Sequence, residues 1–375
     1  MKEKKVLLLG SIAGIVPPTK QGGTENVVYV QAKELAKRGN SLLLIAGVGS
    51  EKAFKAKLLQ ENEADPEKIL QHIEFNEIGG GTQVGNAAEA VKLDLSSVES
   101  SRLFRIELVN LTRVGEEMTK RQDEYSVILN NMRGGAIFIP LAKELKKPFI
   151  NVMHLPLFQE LADLFVPYTI PIVTLSNSQR KGFEKLYYLA NIPNPVNIHT
   201  LSFNPTPENY ALNISAIGEH KNQKDAILAC KKAGIPLILA GKIRDNVYFE
   251  QEIKPYIDNK QVMYKGEVGF EEKKSLYQKA KVFLFPVKWQ EPFGLVLIEA
   301  MSCGTPVIAY PNGGPAEIVK DGETGFLVNN VDEMARKITE IDQIDRMAVR
   351  ADVEKRFSEE VVGVKYYSLL LPFLT

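Results

Sequence analysis

Residues 289–326 read WQEPFGLVLIEAMSCGTPVIAYPNGGPAEIVKDGETGF. Two carboxylates, Glu291 and Glu299, bracket seven apolar or small residues, Pro292 to Ile298. Pro292-Phe293-Gly294 marks a loop-to-helix boundary, and 295–301 has the continuous apolar character of a buried helix. Gly294 allows close approach of the backbone to a ligand, because no side chain stands in the way. The N–H groups of Phe293, Gly294 and Leu295 then fall at a helix N-terminus. There they lack intrahelical acceptors, and the helix dipole favours negative charge. Glu291 is expected on the loop and Glu299 about two turns down the helix. A strand at 306–310 follows, then a second Gly-rich turn, Asn312-Gly313-Gly314, just before Glu317.

The same alternation extends outward on both sides. Apolar runs predict strands at 212–217, 236–240 and 282–286, with helices at 221–233 and 271–280. Residues 193–210 carry four prolines and little periodicity, which suits an interdomain linker. Ahead of it, strands are expected at 6–10, 42–46, 126–130, 148–153 and 172–176. Helices are expected at 25–38, 51–61, 102–121, 135–145 and 177–189, with a turn at Gly79-Gly80-Gly81. The last stretch, 359–375, reads as an apolar, aromatic helix. We therefore expect a first domain over 1–195, a linker over 196–210 and a second domain over 211–355. A closing helix over 356–375 would pack back on the domains. Such βα alternation predicts an α/β protein with two Rossmann-like, doubly wound parallel sheets facing across a cleft. Ligands are expected there, at the carboxyl ends of the strands.

Composition narrows the function. The chain has 375 residues, 45% hydrophobic and 25% charged, as in a water-soluble globular protein. Basic and acidic residues balance at 46 each, so no global charge argues for nucleic acid. Cys230 and Cys303 each sit in an apolar run, which favours core thiols in a reducing, cytoplasmic compartment over a disulfide or zinc site. The opening MKEKKVLLLGSIAG reads as a first strand rather than a signal peptide. No apolar run reaches the ~20 residues that span a bilayer. Peripheral membrane contact, through the basic 179–188 region for example, stays open.

These motifs resemble the retaining glycosyltransferases of family four, also called glycosyltransferase group 1, which have the GT-B fold. The resemblance rests on the Glu291-to-Glu299 spacing inside EPFGLVLIEAMSCGTPVIA and on the GGPAEIVKDGETGFLV that follows. In the first half, QGGTENVVYVQAKELAKRGN is similar to the family's glycine loop, and NVMHLP places His154 where the family usually has a histidine after a strand. TLSNSQRKGF and NIPNPVN match segments before the linker.

The resemblance implies transfer of a hexose, glucose first, from a nucleoside diphosphate sugar to an acceptor hydroxyl with retention. A UDP-hexose would be the co-substrate; a glycan, a lipid-linked sugar or a small molecule would be the acceptor. Glu299 would take the ribose hydroxyls, Glu291 the hexose, and the backbone of Phe293, Gly294 and Leu295 the hexose or phosphate. Lys221 would neutralise the leaving diphosphate, Gly22 and Gly23 would approach it from the first domain, and His154 would contact the transferred sugar or the acceptor. The family often adds an arginine to the phosphate clamp. Here Ala216 stands in its place, or Glu219 in a register that makes Lys224 the lysine. We prefer Lys221, because Asn222-Gln223 and Ala226-Ile227 then align. His220 and Lys242 are the candidates to replace the arginine. No D-x-D pair is present, so neither a metal nor a tightly bound cofactor is expected. The rival readings are a nucleotide-sugar-binding protein without turnover and a nucleotide-sugar epimerase. A Rossmann dehydrogenase is disfavoured, because no G-x-G-x-x-G follows the first strand.

Overall fold

A computed structural model describes residues 5–18, 22–79 and 98–374. The chain forms two compact units. The first comprises Met1–Leu175, Gly182–Ile192 and Glu359–Thr375, the second Ser176–Lys181 and Pro193–Ser358.

The first unit is built on seven parallel strands: β1 (Lys5–Leu9), β2 (Leu42–Ala46), β3 (Ile73–Glu77), β4 (Tyr125–Asn130), β5 (Phe149–Met153), β6 (Ile172–Thr174) and β7 (Tyr188–Asn191). Their order across the sheet is β3-β2-β1-β4-β5-β6-β7. Strands covered by helices on both faces must be apolar throughout, and β2 and β5 are buried at every position. The order reverses between β1 and β4, where a doubly wound sheet opens a crevice at its carboxyl edge.

The second unit repeats the plan with six parallel strands: β8 (Ala211–Ile214), β9 (Leu237–Ala240), β10 (Val262–Tyr264), β11 (Val282–Phe285), β12 (Val307–Ala309) and β13 (Gly325–Leu327). Their order is β10-β9-β8-β11-β12-β13, with the reversal between β8 and β11. Two doubly wound parallel sheets are the architecture the sequence predicts.

Most expected elements form within a few residues of their predicted bounds. One does not. A helix expected over 177–189 is replaced by a short turn at Ser178–Arg180 and by strand β7. The cause is local. The Glu317 carboxylate accepts the backbone N–H groups of Asn177, at 2.9 Å, and Ser178, at 2.8 Å, and so holds Ser176–Lys181 on the second unit. The segment beyond it pairs with β6 instead of coiling. The edge strands β3, β10 and β13 were not anticipated. β10 and β13 have only three residues each, too few for a period to show. Of the expected turn at 79–81, Gly80 and Gly81 lie outside the described residues.

The closing helix, Glu359–Leu370, belongs to the first unit and packs on the Gly23–Lys37 helix. Contact is close enough that a Cβ on Gly363 would lie 2.5 Å from the Glu34 Cβ.

Candidate functional site

In the second unit, the loops after β8 and β11 emerge side by side at the reversal point of the sheet. Their meeting point is Lys221 with Glu291, 70 residues apart in sequence. The Lys221 Nζ donates to the Glu291 Oε2 at 2.5 Å, and the Trp289 Nε1–H donates to the same oxygen at 2.9 Å. The ammonium also lies 4.9 Å from the Trp289 ring centroid and 5.5 Å from that of Phe285, within cation–π range. Lys221 and Glu291 are 15% and 13% exposed, so the pair is shielded but reachable.

Local backbone geometry fixes Glu291. Its N–H donates to the Asn312 carbonyl at 3.1 Å, and its own carbonyl accepts from the Gly314 N–H at 2.7 Å. This contact explains the Gly313-Gly314 turn. Gly313 has φ +85°, and a Cβ there would fall 2.3 Å from the Glu291 carbonyl oxygen. Only glycine meets both conditions.

Gly294 caps the Leu295–Ser302 helix at φ +106°. Phe293 is buried, with its ring edge-on to Phe357. Among the described residues, the N–H groups of Phe293, Gly294 and Leu295 have no hydrogen-bond acceptor. This leaves three aligned donors at the start of a helix.

Glu299 lies one turn farther along that helix and does not join the Lys221 group. Its Oε1 accepts from the Lys273 Nζ at 2.9 Å and its Oε2 from the Tyr277 hydroxyl at 2.8 Å. Burial, together with the Glu299 charge, raises the Tyr277 pKa far above the ordinary phenol range. Tyr277 is therefore a fixed donor. Each carboxylate oxygen keeps a further lone pair for another donor.

The cations near the absent arginine fall into distinct roles. Lys224 is ion-paired with Glu252. Burial and then the Lys221 charge lower the His220 pKa, so its ring is neutral near pH 7 and packs edge-on to Trp289 at 5.5 Å. The Lys242 backbone is joined to Ile217, whose N–H donates to the Lys242 carbonyl at 2.9 Å, beside Ala216.

In the first unit, Gly22 precedes the Gly23–Lys37 helix in an extended conformation that any residue adopts. A Cβ there would meet Pro18 at 2.8 Å and the Glu25 carboxylate at 2.9 Å, so internal packing already demands the glycine. His154 follows β5. Its Nε2 lies 2.8 Å from Asn131 Oδ1, which itself faces Gln31 through a paired amide contact. Because Oδ1 is an acceptor, Nε2 carries the proton and Nδ1 is the free acceptor. Burial pushes the His154 pKa down to about 4, and the residue as a whole is half-buried.

Trp289 and Tyr277 were not singled out from the sequence. Trp289 is two residues from Glu291, and that spacing was the only signal available. Among the described residues, no three His, Cys, Asp or Glu side chains gather as metal ligands. No described helix is long and apolar enough to cross a membrane.

Residues 198–356 match the family model of glycosyl transferases group 1. The matched stretch lies within the second unit. A Klebsiella pneumoniae relative, an uncharacterized 41.2 kDa protein in the cps region, is 35% identical over 133 residues. That alignment covers 35% of this chain and 36% of the relative, about a third of each. Solved structures match the whole fold. Sucrose-phosphate synthase from Thermosynechococcus elongatus superposes with a TM-score of 0.71 at 19% identity, covering 98% of this chain and 99% of the other. HepE from Anabaena, crystallised with UDP and glucose, gives 0.70 at 19% identity and covers 98% and 100%. The chain thus shares the GT-B fold of these structures.

Proposed function

We propose that the protein is a retaining hexosyltransferase using a nucleoside diphosphate sugar, UDP-glucose first, and an acceptor hydroxyl. The observation that carries this reading is the convergence of Lys221, Glu291 and Trp289 at the reversal point of the second sheet. The open N–H groups of residues 293–295 follow directly in sequence. A diphosphate leaving group needs positive charge and preorganised donors where its own charge builds up. Lys221 and the helix start supply both. Glu291 would hold a hexose hydroxyl, and Glu299, oriented by Lys273 and Tyr277, the ribose. The glycosidic C–O bond to the diphosphate breaks as the acceptor oxygen bonds to the same face of the anomeric carbon. The acceptor proton passes to a phosphate oxygen. Gly22, Gly23 and the free Nδ1 of His154 are proposed for the diphosphate and the transferred sugar or acceptor. HepE holding UDP and glucose on the same fold supports a UDP-hexose donor. Two buried thiols, with burial raising Cys303 to about 12, support a reducing, cytoplasmic location.

The test is calorimetric titration with UDP-glucose, UDP-N-acetylglucosamine and GDP-mannose. It is followed by NMR assignment of the anomeric configuration in any product. Binding without turnover would make the chain a carrier of sugar nucleotides. An inverted product would end the retaining assignment. No affinity for any sugar nucleotide would end the proposal.

A further inference from the structure

The first unit holds a cavity of about 750 Å³ that none of the residues discussed above lines. Its walls are one face of the Val98–Lys120 helix and the segments leaving β2 and β3 at the carboxyl edge of the sheet. The loops are tied together, since the Val48 N–H donates to the Gly79 carbonyl at 3.3 Å. Arg102, Arg105 and Arg113 line the cavity, with Asn110 and Glu77. Arg102 and Arg113 are about three turns apart at roughly 3.6 residues per turn, so they share a face, and Arg105 lies one turn from Arg102.

Among the described lining residues, three arginines face one carboxylate. Glu77 is the one carboxylate on the wall, and its Oε1 already accepts the Glu51 N–H at 2.8 Å, in the first turn of the Ser50–Gln60 helix. Among the described residues, Arg113 forms no ion pair. Arg105 bonds only to the Ser101 carbonyl of its own helix, at 3.4 Å. The chain as a whole is neutral, with 46 basic and 46 acidic residues, so this local surplus is not the overflow of a basic protein. Ile78 and Ile106 add apolar surface on which a carbon skeleton can rest. Guanidinium forks match carboxylates and phosphates two bonds at a time.

We infer that this cavity binds an anionic group, phosphate or carboxylate, on a sugar-sized acceptor. Its role as the acceptor site rests on the transfer reading above; its capacity to bind an anion does not.

The experiment is calorimetric titration of the full chain with glucose 6-phosphate, glucuronate and glucose. The Arg105→Gln/Arg113→Gln and Arg105→Lys/Arg113→Lys variants are titrated in parallel. UDP affinity and melting temperature, recorded for each variant, report on the fold. The wild type should prefer one of the anionic sugars over glucose by about tenfold or more. The preference should shrink as salt is added. The glutamine pair should lose it, and the lysine pair should keep part of it, having the charge but not the fork. A wild type without preference, or a glutamine pair that retains it, overturns the inference. If UDP-glucose binds and turns over while neither anion is preferred, the cavity assignment fails and transfer stands. If anions are preferred but no sugar nucleotide is used, the anion site stands and its acceptor role fails.

Discussion

Each unit buries a lysine beside carboxylates, and the two lysines are supplied very differently. In the first unit, Lys33 is 1% exposed and meets Glu61 at 2.7 Å, Glu359 at 2.6 Å and Glu63 at 3.2 Å. The Tyr29 hydroxyl joins in by donating to Glu61 at 2.7 Å. In the second unit, Lys221 meets one carboxylate, Glu291, and two aromatic faces. An ammonium has three protons to give. Around Lys33 all are claimed, and the cluster closes on itself, fastening the last helix to the first. Around Lys221 donors remain, and the surrounding rings shield the charge without neutralising it. The first, saturated arrangement holds the fold; the second, unsaturated one suits the donor site proposed above.

The largest expected effect breaks the saturated side. Burial works against the Lys33 charge, but Glu359 and Glu61 outweigh it and hold its pKa above the usual range. Lys33→Met would strand three carboxylates in a buried site, at a cost of about 3–5 kcal/mol. Urea denaturation should show that loss. Adding Glu61→Gln and Glu359→Gln to the same chain should recover part of it. An unchanged midpoint for Lys33→Met would mean the cluster is ornamental, and the contrast with Lys221 would collapse.

The next effect falls on activity. Lys221→Met should leave the melting temperature within a few degrees, because only one carboxylate loses its partner. UDP-glucose turnover, by transfer or by slow hydrolysis, should fall on the order of 100- to 1,000-fold, the usual loss for one donor to a developing negative charge. A variant that melts much earlier with normal residual turnover would place Lys221 with Lys33 as a structural ion.

The same contrast explains what the sequence disclosed. Glu291, Gly294, Glu299 and Gly313 could be picked out as candidates because they fall within one short stretch whose spacing mirrors a strand–loop–helix unit. Their roles need only local geometry. Trp289 and Tyr277 were not, since their value comes from which carboxylate they reach across the fold. The segment at 177–189 was misread for a related reason. Its apolar spacing suits a helix, but its first residues are bonded to Glu317, 140 residues away, and its last residues pair with β6 as a strand. The Lys33 cluster was equally hidden, because it joins helices 326 residues apart. Arg102, Arg105 and Arg113 were not singled out, because the cavity they line is completed by segments leaving β2 and β3.

A smaller effect concerns pH and the first unit. His154 has an ordinary pKa of about 6.5 in an unfolded chain and about 4 in the fold. Between these values the unfolded chain binds the extra proton. Stability from the neutral ring is therefore complete above about pH 6.5, falls as the pH drops toward 4 and is constant below that. The full span is on the order of 3 kcal/mol. His154→Gln should flatten the stability curve across that window while keeping a donor for Asn131. If wild type and variant lose stability in parallel from pH 6.5 to 4, other groups govern the acid limb.

The smallest effect tests whether Glu299 belongs to the saturated or the unsaturated class. Lys273 and Tyr277 already engage one oxygen each, as Glu61 and Glu359 engage Lys33, which argues for structure. Yet the group is about a fifth exposed, at 21%, against 3% for Glu61, and its oxygens retain lone pairs toward solvent. We expect Glu299→Ala to weaken UDP-glucose binding about tenfold, the worth of one charge-assisted hydrogen bond. It should cost the fold little, since Lys273 can turn to water. Tyr277→Phe should do less, severalfold in affinity, because Lys273 still orients the carboxylate. Calorimetry on both variants separates the cases. Affinity that holds while stability drops would move Glu299 into the structural class, leaving Lys221 and Glu291 alone as the charged pair open to the donor.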